Sequence, residues 1–353
     1  MRGTESETAG AFRLRLGVAL ALLALLVAVA LSADSSAAGP SGLQRAILAQ
    51  EQSTERLLDR DAVVGTAVSE GPSGEAEVVV FAKHPVSVAS TLGGVPVDVE
   101  VTGPIGAVRA PEKNPGGGGT TTTSPTSRFT RPVPIGISTG NAGECSAGTI
   151  GARVKDGSGH VYALSNNHVY ALENKAPLGS EVLQPGLYDT GCAYSAANVI
   201  GTLSAFSPIT FSTSASNVAD AAIAATTTAS LGNSTPAGGY GTPSSTTQAA
   251  SVGLAVQKFG RTSSLTTGTV TAVNGIVNVA YGAAGTARFV NQVIVESSKP
   301  FLKAGDSGSL LVTRNTAANP VGLLFAAGSS GKYAIANPIG PVLSQLGVTI
   351  DGK

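Results

Sequence analysis

From Val133 onward the chain is written as short apolar runs broken by glycine, asparagine, proline and serine, and this rhythm constrains the fold more than any other feature. The runs cover residues 149–154, 161–164, 221–225, 268–273, 276–280, 290–295, 309–312 and 321–325. Runs of that length between turn-forming residues read as strands, and many of them with no convincing long helix describe a sandwich or a barrel. A loose stretch from Gly232 to Ala250 divides the region into comparable halves, about 133–231 and about 250–350. Two tandem antiparallel β-barrels fit this layout; a single large sandwich with an inserted loop is the other arrangement. Charged residues make up only 12% of the chain, against roughly 25% in an average globular protein. The threonine, valine and glycine that take their place suit strands and turns, so the fold is expected to be mainly all-β.

The first third differs. Arg13 and Arg15 precede an apolar run over residues 16–31, and small residues follow through Ala38. That order is expected of a signal peptide spanning 1–38, cut after Ala33 or Ala38. An uncleaved anchor is the alternative, although the run falls short of the roughly 20 residues of a spanning helix. Residues 43–60 then predict an amphipathic helix with Leu43, Ile47, Leu48, Leu57 and Leu58 as its apolar positions. Extended stretches at 62–68, 76–82 and 95–102 follow, separated by glycine-rich turns. Together, residues 42–110 read as a small α+β domain. Residues 111–132, rich in Gly, Pro and Thr and without periodicity, read as a flexible linker open to cleavage near Arg128 and Arg131. The remainder, 133–353, is a separate β domain.

Composition also narrows the function. Lys plus Arg number 22 and Asp plus Glu number 22, with no basic stripe, so no nucleic-acid partner is expected. The two cysteines, Cys145 and Cys192, have no zinc-site spacing, and no metal or cofactor is expected. In an exported chain, secreted or otherwise extracytoplasmic, they are reasonable disulfide partners, with two buried thiols as the other possibility. Once the signal is removed no membrane association is expected.

The chemistry concentrates in Gly305-Asp306-Ser307-Gly308-Ser309. A serine hydroxyl is a weak nucleophile until a base takes its proton and donors hold the oxyanion that forms on attack. Gly305, two positions ahead, lets the N–H groups of Gly305 and Ser307 aim at one point. A Gly/Ser/Asp turn between strands is the plainer reading. Of the three histidines, His168 lies just past a strand end, His160 in a probable hairpin turn and His84 across the linker. The acid that orients the base is one of Asp189, Asp220 and Asp306, and Asp220 leads directly into a small apolar strand.

These motifs resemble a known family. Leu164-Ser-Asn-Asn-His168-Val resembles the histidine motif of HtrA/Deg-type chymotrypsin-like serine proteases, Asp220-Ala-Ala-Ile-Ala their aspartate strand, and GDSGS the GDSGG of the wider family. Residues 260–282 resemble second-barrel strands of streptogrisin and alpha-lytic-type proteases, and the stretch 132–351 is most similar to narrow-leaf-type trypsin-like proteins and their bacterial relatives. The resemblance implies two β-barrels, a triad of His168, Asp220 and Ser307 in the cleft between them, and an oxyanion hole from Gly305 and Ser307. It places the wall of the specificity pocket at Phe325, Ala326, Ala327 and Gly328 and its floor near Phe301, which favours small or apolar residues before the cut. Ser309 departs from the family's second glycine, and no PDZ-like region follows before Lys353. The expected function is an exported serine endopeptidase acting on protein or peptide substrates, with residues 42–110 either a pro-segment that assists folding or blocks the cleft until the linker is cut, or a permanently attached accessory domain. A catalytically inactive protease fold serving as an extracellular binding module is the alternative, and an adhesin or stalk a third.

Overall fold

The computed structural model describes residues 41–108 and 124–353. The expected signal peptide and residues 111–123 of the expected linker lie outside the described residues. No helix among the described residues is long and apolar enough to cross a membrane.

The N-terminal part comprises α1 (Gly42–Leu58), β1 (Val63–Glu70), β2 (Ala76–Ala82), β3 (Thr91–Leu92), β4 (Val95–Val101) and β5 (Ile105–Ala107). Ser41 and Gln44 form a reciprocal capping box that starts α1. Of the five expected apolar positions, Leu57 is buried and Ile47 and Leu58 pack half-buried against the same core, whereas Leu43 and Leu48 stay exposed; Ala46, Ala49, Gln50, Ser53 and Thr54 make up the rest of the buried face. The reason is a polar network beneath the helix: Gln50 Nε2 donates to Thr66 Oγ1 at 3.1 Å and to the Asn274 carbonyl at 2.9 Å. Small residues let the helix approach the sheet closely enough to make those bonds, which a stripe of leucines would prevent.

The next elements are β6 (Ser138–Asn141), β7 (Gly148–Thr149), β8 (Ala152–Lys155), β9 (Val161–Ser165), α2 (Asn167–Tyr170), β10 (Glu181–Leu183), β11 (Val199–Phe206) and β12 (Ala222–Thr226). The last are β13 (Ala255–Gly260), β14 (Ser264–Ala280), β15 (Thr286–Glu296), β16 (Leu310–Thr313), β17 (Pro320–Gly328), β18 (Tyr333–Pro338), α3 (Ile339–Leu346) and β19 (Thr349–Ile350). The chain is thus mainly β, in two sheets, as expected. Strands run in the order β13-β16-β17-β18-β15-β14, and β13 also pairs with β14, so six strands close into a barrel. The other sheet runs β19-β8-β9-β12-β11-β10-β6-β7. Its ends curl together at residues 150–151, where Ile150 N–H donates to Ile137 at 2.9 Å and Gly151 N–H to Leu164 at 2.8 Å. This arrangement is the two-barrel layout and not the single sandwich.

Each barrel has its own apolar filling, one around Ile135, Ile150, Tyr170 and Leu203, the other around Val270, Val295, Phe301 and Leu324. A third cluster, with Leu164, Ile223, Leu310, Leu323 and Val342, joins them. The Cys145–Cys192 disulfide is formed and spans 47 residues, a loop whose closure is worth about 4 kcal/mol in the chain-entropy account.

Two connections were not expected. The runs at 268–273 and 276–280 belong to one continuous strand, β14, whose outer part extends beyond the barrel as a hairpin with β15. On that extension β1 pairs antiparallel with β14, Gly65 opposite Val277, which adds the N-terminal strands to the same sheet. Residues 124–132, expected to be loose, are held to the first barrel. Phe129 N–H donates to Gln184 at 3.0 Å, and Arg128 donates to the Ala197 carbonyl at 3.0 Å.

Candidate active site

His168 occupies the single turn α2, three residues beyond β9, and is buried along with Asp220 and Ser307. Strand pairing brings the acid to it. β12 pairs with β9 in the register Ala222↔Ser165, and continuing that register two residues outward sets Asp220 across from Asn167. The Asp220 carboxylate accepts the His168 backbone N–H at 3.1 Å and lies 2.6 Å from Nδ1 of the ring. An ionised carboxylate only accepts, so Nδ1 carries the proton and Nε2 is left as the basic nitrogen. The Asp220 main chain is fixed on both sides: Asn166 Nδ2 donates to its carbonyl at 2.7 Å, and its N–H donates to Asn337 at 3.0 Å.

Ser307 comes from the other barrel, on the loop that leads into β16. Gly308 N–H donates to Leu324 at 2.9 Å and Leu324 N–H to Ser309 at 3.0 Å, seating the loop on β17. Thr149 of the first barrel then reaches across, donating its N–H to the Ser307 carbonyl at 2.7 Å and its hydroxyl to the Gly305 carbonyl at 2.9 Å. The close approach demands glycine at 308. Its φ is +90°, and a Cβ there would stand 2.2 Å from Ser165 Oγ and 2.4 Å from the Thr149 carbonyl. Ser165 is three residues before His168, so this contact sets the serine loop against the histidine turn.

The other two aspartates have different employment. Asp189 accepts from Ser138 Oγ at 2.5 Å and takes a bidentate pair from Arg261, whose guanidinium lies over the Tyr188 ring. Asp306 anchors the serine loop, accepting N–H groups of Thr262 at 2.8 Å, Ser263 at 3.1 Å and Lys303 at 2.9 Å, with the fully buried Lys258 Nζ 3.3 Å away. Burial pushes the Lys258 amine below its ordinary value, and the Asp306 charge pushes it partly back. His160 stays in an exposed hairpin turn against Asp156, and His84 is exposed near Pro85. Neither joins the site.

A segment that sequence reasoning had not singled out lies in the cleft. β5 pairs antiparallel with β17 in the register Ile105↔Gly328, Gly106↔Ala327, Ala107↔Ala326. Val108 continues the line, donating its N–H to the Phe325 carbonyl at 3.2 Å. The Gly305 N–H donates to the Val108 carbonyl at 2.8 Å. The Val108 side chain packs against the buried cluster that includes Phe301 and Ala327, while Ile105 lies with Phe325 and Ala326. The residues named for a specificity pocket therefore surround Ile105–Val108. Ser307 Oγ is 3.4 Å from the Phe325 carbonyl, at the outer limit of a hydrogen bond. A polar residue also went unnoticed in the sequence: Tyr281, at the tip of the β14–β15 hairpin, donates its hydroxyl to Asp220 Oδ2 at 2.7 Å.

No family model and no curated protein matches this sequence. Among solved structures, the chain is similar to a glutamic-acid-specific serine protease at 27% identity, covering 62% of this chain and 100% of that one, with a TM-score of 0.44. It is also similar to Thermobifida fusca protease A, at 21% identity, 63% and 100% coverage and a TM-score of 0.44. A third is Cellulomonas bogoriensis chymotrypsin, at 22% identity, 62% and 98% coverage and a TM-score of 0.42.

Proposed function

We propose that the chain is an exported serine endopeptidase whose own residues 105–108 lie in its cleft as a substrate would. The observation that carries this reading is the Val108 carbonyl on the Gly305 N–H, at the end of a strand paired to β17. A carbonyl at that place is polarised by a donor positioned for an oxyanion, which is the demand acyl transfer makes.

The pairing of His168 with Asp220 and the seating of the Ser307 loop against the histidine turn support these roles. Ser307 Oγ attacks the peptide carbonyl while His168 Nε2 takes its proton, forming the Oγ–C bond. Asp220 holds the Nδ1 proton in place and stabilises the imidazolium. The N–H groups of Gly305 and Ser307 hold the oxyanion. The imidazolium then protonates the leaving nitrogen as the C–N bond breaks, and water cleaves the acyl-enzyme by the reverse sequence. Arg109 follows Val108 in the chain, so the bond after Val108 is the one that would be cut. Residues 42–110 then act as a pro-domain that fills the cleft of the protease domain, 133–353, until that bond is broken. The apolar surroundings of Val108 support a preference for small or aliphatic residues before the cut. The signal-like N-terminus and the formed disulfide support export to an oxidising compartment.

The test is a fluorophosphonate probe applied to the uncut chain and to chain cut after Val108, with the adduct located by mass spectrometry. Rapid labelling at Ser307 in the cut form, slow labelling in the uncut form and none in His168→Ala are expected. No labelling of either form would instead identify a protease fold that serves as a binding module.

A further inference from the structure

We infer that Tyr281 is a positioning residue for the Asp220–His168 pair, and that an extended peptide in the cleft holds it there. This rests on the endopeptidase reading above.

Three observations converge. First, the Asp220 carboxylate is shared. His168 Nδ1 and the Tyr281 hydroxyl both address Oδ2, at 2.6 and 2.7 Å, while Oδ1 takes the His168 N–H at 3.1 Å. The two rings also meet edge to face, with centroids 5.9 Å apart. Among the described residues, the phenol is thus a donor to this carboxylate that comes from neither β9, α2 nor β12, but from the far end of β14. Burial raises its pKa well above the ordinary value, and the Asp220 charge raises it further, so it stays protonated and donates.

Second, Tyr281 stands on an element that does not belong to the barrel wall. It follows β14 at the hairpin tip, packed among Phe211, Phe289 and the cluster that contains Ile105 and Phe325. Third, the cleft strand touches both sides. Gly106 pairs with Ala327 on β17 and, in parallel, with Ala280 on β14, the residue before Tyr281. A peptide backbone lying where 105–107 lies therefore ties the hairpin tip to the cleft wall, and with it the phenol to Asp220. A substrate too short to reach the place of Gly106 lacks that tie.

The consequence is electrostatic. A hydrogen bond to a carboxylate withdraws part of its charge from its other partner. Removing the phenol leaves Asp220 a stronger acceptor and so favours the imidazolium. The charged groups around this assembly are Asp220 itself, Glu173, which is paired to Lys175 at 2.9 Å on the loop after α2, and Glu144, which with Glu173 and Lys175 lines the cavity beside Tyr281. None is altered by Tyr281→Phe.

The experiment has two arms. In the uncut Ser307→Ala chain, the Tyr281→Phe substitution is expected to move the His168 Nδ1 proton resonance downfield, read by NMR, as its bond to Asp220 strengthens. This arm does not depend on turnover, so it stands apart from any failure of the endopeptidase reading. An unmoved resonance would overturn the role. In the cut enzyme, peptide substrates reaching four residues before the cut are expected to gain at least tenfold in kcat over single-residue amides. Tyr281→Phe should erase most of that gain with little change in KM. An equal gain in both proteins would overturn the coupling, whereas a purely structural tyrosine would lower thermal stability and leave both readouts unmoved.

Discussion

Lys258→Met tests the anchoring of the serine loop. Lys258 lies in β13 with its amine fully buried, 3.3 Å from Asp306 and 3.1 Å from the Ser264 carbonyl it donates to. Asp306 in turn fixes both neighbours of the nucleophile's loop, since its carbonyl accepts from Ser309 N–H at 3.0 Å and its carboxylate accepts from Lys303 N–H at 2.9 Å. Removing one partner of a buried ion pair costs about 3–5 kcal/mol, because the other is left charged and uncompensated. Asp306 keeps the N–H groups of Thr262, Ser263 and Lys303 and the Ser263 hydroxyl. The loss should therefore fall near the lower end, about 3 kcal/mol. Methionine is close to lysine in volume, so a cavity contributes little. The assay is urea unfolding in a Ser307→Ala background, which prevents self-digestion, with the midpoint shifting at constant slope. If the orphaned carboxylate is the cause, Lys258→Met combined with Asp306→Asn should cost clearly less than the sum of the two single changes, even though asparagine cannot accept at both of the places the carboxylate does. A cost below about 1 kcal/mol, or a double variant as unstable as the sum of the singles, would refute the reasoning.

Asp220→Asn should lower turnover by about 10⁴-fold, the magnitude known for the serine-protease triad template; active-site-titrated kinetics check it, and a loss under tenfold would exclude Asp220 from the role. Val108→Asp places a carboxylate against the apolar cluster of Phe301 and Ala327, so the strand should leave the cleft and the uncut chain should label with fluorophosphonate at least about tenfold faster. An unchanged labelling rate would show that residues 105–108 do not occlude Ser307. Alkaline stability carries a defined sign. Burial raises the phenols of Tyr170, Tyr240 and Tyr281, so above pH 10 the unfolded chain sheds protons that the folded chain keeps, and stability falls as pH rises. Three such groups give a slope of about 4 kcal/mol per pH unit, and Tyr281→Phe should reduce it by about 1.4. Urea midpoints between pH 10 and 12 measure both, and an identical slope in the variant would contradict the burial of that phenol.

How much of this was legible in the sequence depends on how local each signal is. Helix α1, strands β1, β2 and β4 and the mainly-β character follow from periodicity and turn residues, which are local; those signals left two barrels and one sandwich open, and only the resemblance of the motifs pointed to two barrels. The His168–Asp220 pairing was legible because a strand end and a strand start each carry a single ionisable residue. What escaped are contacts whose partners lie far apart in the chain. Lys258 and Asp306 are 48 positions apart, Tyr281 and Asp220 61 apart, and nothing in either segment marks the other. The buried face of α1 was legible only in part: Ile47, Leu57 and Leu58 pack inward as expected, but Gln50 and Thr54 are buried because they answer Thr66 and Asn274, which lie outside the helix. Val108 offered no signal, since a short Ile-Gly-Ala-Val stretch is bland until β17 is set beside it.

The bland character of that stretch says what the cleft reads. Along Ile105–Ala107 the pairing to β17 uses main-chain groups, which every peptide carries, so it holds a substrate without selecting one. A Cβ at Gly106 would meet its nearest neighbour, the Ala280 carbonyl, at 3.6 Å, an ordinary contact, so even the doubly paired position tolerates a side chain. On the endopeptidase reading proposed above, selection acts through the side chains the cleft buries: Ile105, packed with Phe325 and Ala326, and above all residue 108, whose side chain lies against a cluster built of Phe301, Val270, Val295, Leu302 and Ala327. Every side chain in that group is apolar and can offer no partner to a charge. An acidic or basic residue would be buried there unpaired, at a cost of several kcal/mol, which outweighs what the main-chain pairing recovers. On that reading the pairing with β17 supplies affinity and register, the apolar surroundings supply choice, and valine, small and fully apolar, is the kind of residue the cleft would accept before the cut.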